Sequence, residues 1–204
     1  CVRSLLASEG AELRIVIVDN ASTDDTTSKV RLVARDVEAD FSMYPAALVH
    51  TLSLDQIAQV TLLSSSANLG YAGAVNLGLQ ALMPHSKFTL FWVLNPDSVV
   101  ATSTAAAFQQ AAETGDSFGL MGGRIIYHEL PNRIQSDGGR ISLWTGIARN
   151  VNAGLLQGEA LTPAPGTLDF ISGASVVASR AFVEQVGHMV EDYFLYFEEI
   201  DWAA

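Results

Sequence analysis

Three short apolar runs set the strongest constraint on what this chain can fold into. They are LRIVIVDN (residues 13–20), QVTLLSSS (59–66) and FTLFWVLNPD (88–97), rich in β-branched, leucine and aromatic residues. Runs of this kind suit strands buried on both faces, as in parallel sheets. Each leads into a stretch with helix chemistry. ASTDDTTSKVRLVARD offers Ser22 or Thr23 as N-cap, with Asp24 and Asp25 in the first turn. NLGYAGAVNLGLQALM passes from a glycine-punctuated turn into a helix, and TSTAAAFQQAAET is Ala-rich behind Thr102 or Ser103. Such alternation predicts an α/β fold on a mostly parallel sheet.

The remaining segments fit the same plan. CVRSLLASEG reads as a helix already under way, with Val2, Leu5 and Leu6 on one face. Residues 37–56 read as loop with a short helical piece. FGLMGGRIIYHE reads as a strand with a glycine break, and Asp137-Gly138 in IQSDGGRISLW is a hairpin-turn signal. LDFISGASVVASRAFVEQVG reads as strand, then helix. A chain of 204 residues without repeats or linkers is read as one domain, 1–204. It opens without Met and stops at EEIDWAA without a cap, which reads as truncation at both ends. The competing reading is a complete small domain.

Charge narrows the partners. Eleven Lys and Arg stand against 22 Asp and Glu, a formal charge of -11. Such a surface repels nucleic-acid phosphates and anionic headgroups, so no nucleic-acid partner is expected. A phosphorylated ligand would need a cation between itself and the protein. The longest apolar stretches fall well short of the roughly 20 residues of a membrane-spanning helix, so no transmembrane segment is expected. There is no basic and apolar leader pattern, and the only cysteine is Cys1. Both suit the cytoplasm, or the inner face of the membrane as a peripheral protein. The four histidines have no metal-like spacing, and the sequon at Asn20 is discounted.

Ligands of such sheets gather at the carboxyl ends of the strands. Two runs end in acids there: Asp19-Asn20, and Asp97 behind the rigid Asn95-Pro96 pair. Either alone is as well read as a solvated turn or a helix cap. Together they suit Mg2+ or Mn2+, which takes one or two protein carboxylates and completes its shell with phosphate oxygens. Downstream, YFLYFEEIDW sets Glu198, Glu199 and Asp201 behind Tyr193, Phe194, Tyr196 and Phe197. Apolar rings and a neighbouring acid raise a carboxyl pKa, which suits a general base. The plainer reading is a charged helix start.

VDNASTDDT, NLGYAGAVNLG, LNPD, ISGAS and YFLYFEEIDW, in this order, resemble the inverting family-2 glycosyltransferases, closest to their rhamnosyltransferase-like branch. The resemblance covers almost the whole chain; singly the motifs are weak, in order they are specific. It implies a GT-A fold, a Rossmann-like three-layer sandwich, without the family's first strand and tail. It implies a metal-dependent hexosyl-type transfer, plausibly of L-rhamnose, from a dTDP- or UDP-sugar to a saccharide or lipid-linked saccharide of the cell envelope. Asp19 and Asn20 would meet base and ribose, with Asn68 and Asn76 also nucleotide-binding. Asn95 and Asp97 would stand for the family's Asp-x-Asp signature, Asp97 on the metal. Glu199 would be the base, with Glu198 the other candidate and Asp201 a partner. Asn20, Asn95 and Glu199 each depart from the family's usual acid. Gly73 and Gly78 are read as packing glycines. Two other classes compete: a sugar-nucleotide pyrophosphorylase, which would want an early glycine-rich loop with Arg and Lys, and a non-catalytic nucleotide-sugar-binding module.

Overall fold

The computed structural model describes residues 1–115 and 117–204. The first part of the chain holds α1 (Val2–Leu6), β1 (Ile15–Asp19), α2 (Thr26–Asp36), β2 (Phe41–Pro45), β3 (Val60–Ser64) and α3 (Gly70–Leu82). β1, β3 and β2 form a parallel sheet in that order, Asp19 opposite Ser64 and Ile15 opposite Val60. β3 is central, and Val60, Thr61, Leu62 and Leu63 are fully buried. That burial is why its sequence shows no polar alternation.

The second part adds β4 (Leu90–Leu94), α4 (Thr104–Thr114), β5 (Leu120–Met121), β6 (Ile125–Ile126), β7 (Ile134–Ser136), β8 (Gly139–Ile141), β9 (Ala148–Asn150), β10 (Ser175–Ser179), α5 (Arg180–Val186) and α6 (Glu198–Ala203). Here β10 lies between β4 and β5 and runs antiparallel to both. Among the described residues, parallel pairing is therefore confined to the first sheet; Asp19 ends β1 there, and Asp97 lies three residues past the end of β4 in the other sheet. The chain reaches β10 from β4 through a long excursion, not a single crossover helix, so nothing forces a parallel return.

α3 joins the two sheets. Its Ala72 and Leu79 pack with Phe91, Ala178, Val183, Met189 and Trp202, while its Ala81 packs with Val49, Leu52, Ile57 and Leu63. Leu82 and Phe88 touch both groups. Arg180 fastens the far end, donating to the carbonyls of Met83, His85 and Phe88 at 3.0, 2.7 and 2.7 Å. The start of α3 is thereby set between the ends of β1 and the acidic C-terminal motif.

Several local expectations change. Residues 37–56 include β2, whose half-exposed residues and Pro45 mark an edge strand with a weak pattern. The N-cap of α2 is Asp25, because the Ser22 amide is drawn to Asp19 and Asp24 accepts from the Thr26 amide. Asp137-Gly138 is not a hairpin turn: β7 pairs with β6, and β8 pairs with β9. The Asp137 carboxylate is instead taken up by both arms of Arg124 at 2.9 Å and by Asn152 at 2.7 Å. A bidentate, buried pairing of this kind ties the β6–β9 excursion together.

Candidate active site

At the end of β1 the Asp19 carboxylate is 8% exposed and accepts from the Ser22 amide at 3.0 Å and the Thr27 hydroxyl at 3.4 Å. It shapes the turn into α2. Asn20, next along, reaches across to the turn before α3. Its amide donates to Asn68 Oδ1 at 2.9 Å and to the Gly70 carbonyl at 3.0 Å, and its oxygen accepts from the Leu69 amide at 2.8 Å. Asn68 Oδ1 also accepts from the Gly70 amide at 3.0 Å. Asn20 and Asn68 thus meet in one network, from strand end to helix start.

Gly70 has φ +74, and a Cβ built on it would lie 2.5 Å from the Phe194 carbonyl oxygen. Only glycine fits that backbone and that approach. The Phe194 carbonyl accepts from the Tyr71 amide at 3.1 Å. The turn at 68–70 is therefore gripped by Asn20 on one side and by the acidic motif's loop on the other.

A second junction lies beside it. The Tyr71 hydroxyl donates to the Gly173 carbonyl at 2.6 Å. A Cβ on Gly173 would meet that hydroxyl at 3.1 Å and the Glu199 Cβ and Cγ at 3.5 Å. Tyr71, the 171–175 segment and Glu199 are neighbours. Burial pushes the Tyr71 pKa up, and the charges of Glu199 and Glu198 push it further, so the phenol stays protonated and remains a donor. Sequence reasoning passed over Tyr71; its signal was its place one residue after the turn glycine.

The three acids of α6 differ in setting. Glu198 is buried at 4% exposure. Burial pushes its carboxyl pKa up, its own backbone amide opposes this, and Glu199 adds to the rise. Glu199 is half-buried and Asp201 is exposed. One carboxylate oxygen on each of Glu198 and Glu199 is buried without a hydrogen-bond partner among the described residues. Unpaired buried oxygens are costly in a resting protein and suit groups that meet a proton or a hydroxyl during a reaction. The aromatic run does not dry these acids as expected. Tyr193, Phe194, Leu195, Tyr196 and Phe197 are 37–70% exposed, and Tyr196 and Phe197 sit at φ 72 and 73. Two bulky residues in the left-handed region turn the rings outward.

Asn95 directly follows β4, its amide donating to the Ala174 carbonyl at 3.0 Å, so the NPD turn abuts the 171–175 segment. Asp97, two residues on, is exposed and makes no hydrogen bond or ion pair among the described residues. No group of three His, Cys, Asp or Glu able to hold a metal occurs among them. A free, single carboxylate fits a cation whose other ligands are phosphate and water oxygens, not a protein-built cage. Asn76 has a different task from the one expected. It is 2% exposed, donates to the Met189 carbonyl and Glu191 at 2.9 and 2.8 Å, and accepts from the Met189 amide at 3.0 Å. Fully engaged below the surface, it clamps the start of the acidic loop onto α3 and has nothing left for a nucleotide.

The model of glycosyl transferase family 2 matches residues 1–153. The chain belongs to that family. Among curated proteins it is 27% identical over 214 residues to the N-acetylglucosaminyl-diphospho-decaprenol L-rhamnosyltransferase of Mycobacterium tuberculosis, covering 97% of this chain and 62% of that protein. It is 26% identical over 196 residues to a low-salt glycan biosynthesis hexosyltransferase of Haloferax volcanii, covering 94% of this chain and 60% of that one. The chain thus spans less than two thirds of the length of the curated relatives it matches. A mannosyltransferase from Pyrobaculum calidifontis, solved in complex with GDP-Man and Mn2+, superimposes with a TM-score of 0.52 at 17% identity, over 92% of this chain and 41% of that one. The glycosyltransferase GT-A fold is shared.

Proposed function

We propose that this family-2 chain forms the donor-binding and catalytic part of an inverting glycosyltransferase. The observation that carries the reading is the grip on the 68–70 turn: Asn20 at the end of β1 holds one side and the Phe194 carbonyl of the acidic loop the other. Four of the five motifs noted in the sequence meet through this turn and through Tyr71 and Gly173; the fifth, NPD, joins at Asn95.

In this reading the nucleotide diphosphate lies along the ends of β1 and β4. Asp19, Asn20 and Asn68 shape the pocket for base and ribose, chiefly through the turn they build. Asp97, with Asn95 beside it, would hold Mg2+ or Mn2+, which would supply positive charge against the leaving diphosphate. The relative crystallised with GDP-Man and Mn2+ supports the choice of a divalent cation. Glu199 accepts the proton of the acceptor hydroxyl as its oxygen bonds to the anomeric carbon. The bond from that carbon to the phosphate oxygen breaks on the opposite face, inverting the centre. Glu199 rather than Glu198 has this role because an acceptor must reach the base, and Glu198 is closed off. Glu198, its carboxyl pKa raised by burial, lies beside Glu199, and Asp201 is exposed on the same helix.

The choice of rhamnose and of a lipid-linked acceptor follows the name of one relative, and the dTDP- or UDP- donor follows the sequence resemblance. L-rhamnose from a dTDP- or UDP-sugar, passed to a lipid-linked saccharide, is the specific reaction proposed. A labelled nucleotide-sugar tests it: the reading expects nucleoside diphosphate and a glycosylated acceptor. Pyrophosphate exchange with a sugar 1-phosphate would identify a pyrophosphorylase, and binding without any product a non-catalytic module.

A further inference from the structure

The β8–β9 hairpin presents an unusual surface. Its tip carries Leu143 and Trp144, 94% and 99% exposed, the two most exposed large apolar side chains among the described residues, with Ile147 at 50%. The turn is closed by the Ser142 and Ile147 backbones at 3.0 Å and by Gly146 at φ 67. A folded chain does not normally leave a tryptophan and a leucine wholly in water at a projecting tip.

Behind the tip stands a pair of cations. Arg140 and Arg149 are directly opposite in the antiparallel register, so their side chains share a face. Like charges so placed repel, and neither has an acidic partner among the described residues. Arg140 donates only through Nε, to the Thr167 carbonyl at 3.0 Å, leaving the outer guanidinium nitrogens free. The setting is near neutral in an acidic protein, with Asp169 balancing the count of charges. Residues 120–168 contain four arginines (124, 133, 140 and 149) against three acids (Glu129, Asp137 and Glu159), within a chain of net charge -11. Asp169 is the nearest further acid, and its carboxylate is held by the Ile141 amide at 2.7 Å.

We propose that the β8–β9 hairpin docks on an anionic phospholipid bilayer. Leu143, Trp144 and Ile147 enter the boundary between headgroups and acyl chains, and Arg140 and Arg149 meet the lipid phosphates. The spacing suits this: Leu143 lies three residues beyond Arg140, roughly 10 Å for extended chain, and interfacial elements bury their apolar side about 5–10 Å deep. Tryptophan favours that boundary, and each arginine near an anionic leaflet is attracted to it. The tip is convex, with its cations set back, a layering that matches a bilayer's own and not the recessed face of a second protein. The hairpin root also has a fixed relation to the candidate site. Gly139 exchanges hydrogen bonds with Asp169 and Phe170, just ahead of Gly173 beside Glu199. Membrane docking by this tip does not depend on the transfer chemistry.

The test is flotation of the purified protein with vesicles of phosphatidylglycerol and phosphatidylcholine, against vesicles of phosphatidylcholine alone. The protein is expected to float with the anionic vesicles, less so as salt rises, and its tryptophan emission is expected to shift to the blue. The shift should vanish in Trp144→Phe, since Trp202 is buried and Trp92 is packed on Phe108. Leu143→Ser with Trp144→Ser should weaken partitioning roughly tenfold or more. Arg140→Gln and Arg149→Gln should each weaken it roughly fivefold at low salt. These surface variants should melt with the wild type. No flotation at low salt overturns the proposal, as does binding that the tip variants leave unchanged. Self-association without vesicles that Trp144→Ser abolishes would also overturn it, giving the tip to a second copy.

Discussion

The side-chain amide of Asn20 donates to the side-chain oxygen of Asn68 at 2.9 Å, joining the end of β1 to the turn that starts α3. Neither residue is a free ligand group waiting in a pocket. They build the junction between β1 and α3, and the same turn leans on the acidic loop through Phe194.

Asn20→Ala should weaken binding of free UDP or dTDP by roughly tenfold or more, since it removes three hydrogen bonds of about 0.5–1.5 kcal/mol each. Asn68→Ala should act in the same direction. If the two work through one turn, the double variant should lose clearly less than the sum of the singles. Calorimetry with nucleotide alone checks this. Additive losses would make each residue a separate ligand contact.

Asp97→Asn should leave the melting temperature unchanged and abolish the gain in nucleotide affinity that Mg2+ or Mn2+ produces. Asp97 is exposed and has no partner among the described residues, so the fold has little to lose by the change. Titration with and without EDTA measures the effect. Wild-type affinity indifferent to EDTA would remove the metal from the account.

Glu198 supplies a stability test. Its carboxyl pKa is raised by burial, so the folded chain binds this proton more tightly than the unfolded chain. Stability from this group is therefore full below the ordinary glutamate range and falls as pH rises through the folded pKa. Glu198→Gln, which cannot ionise, should melt higher than wild type near pH 7 and lose that advantage toward pH 4. Thermal melts across this range decide it; an advantage at pH 4 alone would reverse the assignment.

Tyr71→Phe removes the 2.6 Å hydrogen bond to the Gly173 carbonyl beside Glu199. The expected result is a modest loss of stability, about 1–3 kcal/mol if the carbonyl stays unpaired. A fall in kcat is expected with little change in donor affinity, because the phenol is bound to the segment next to Glu199, the proposed base. A change confined to donor affinity would place Tyr71 elsewhere.

Much of this was readable before the structure. β1, β3, β4 and α3 announce themselves because a strand buried on both faces and a small-residue helix leave local signatures. The strand pairing did not. Whether β10 runs with or against β4 is decided by the path between them, which no local pattern records. β2 was hidden by its edge position, and the hairpin signal at Asp137 was overruled by a distant arginine. Within the site, the residue types of the acidic motif were plain, but not their burial. Glu198, not the aromatic run, is enclosed, and Asn76 looks like a ligand residue in the sequence yet is fully bound at Met189 and Glu191.

Turnover and donor affinity of Glu199→Gln, in an active preparation of the protein, test the central claim most directly. Glutamine keeps the shape beside Gly173 and cannot take a proton. The account predicts donor affinity like that of wild type and turnover lower by roughly 10²–10⁴-fold, the usual contribution of a positioned base. Glu198→Gln should lose less. Near-normal turnover in Glu199→Gln would contradict the claim and move the base to another residue.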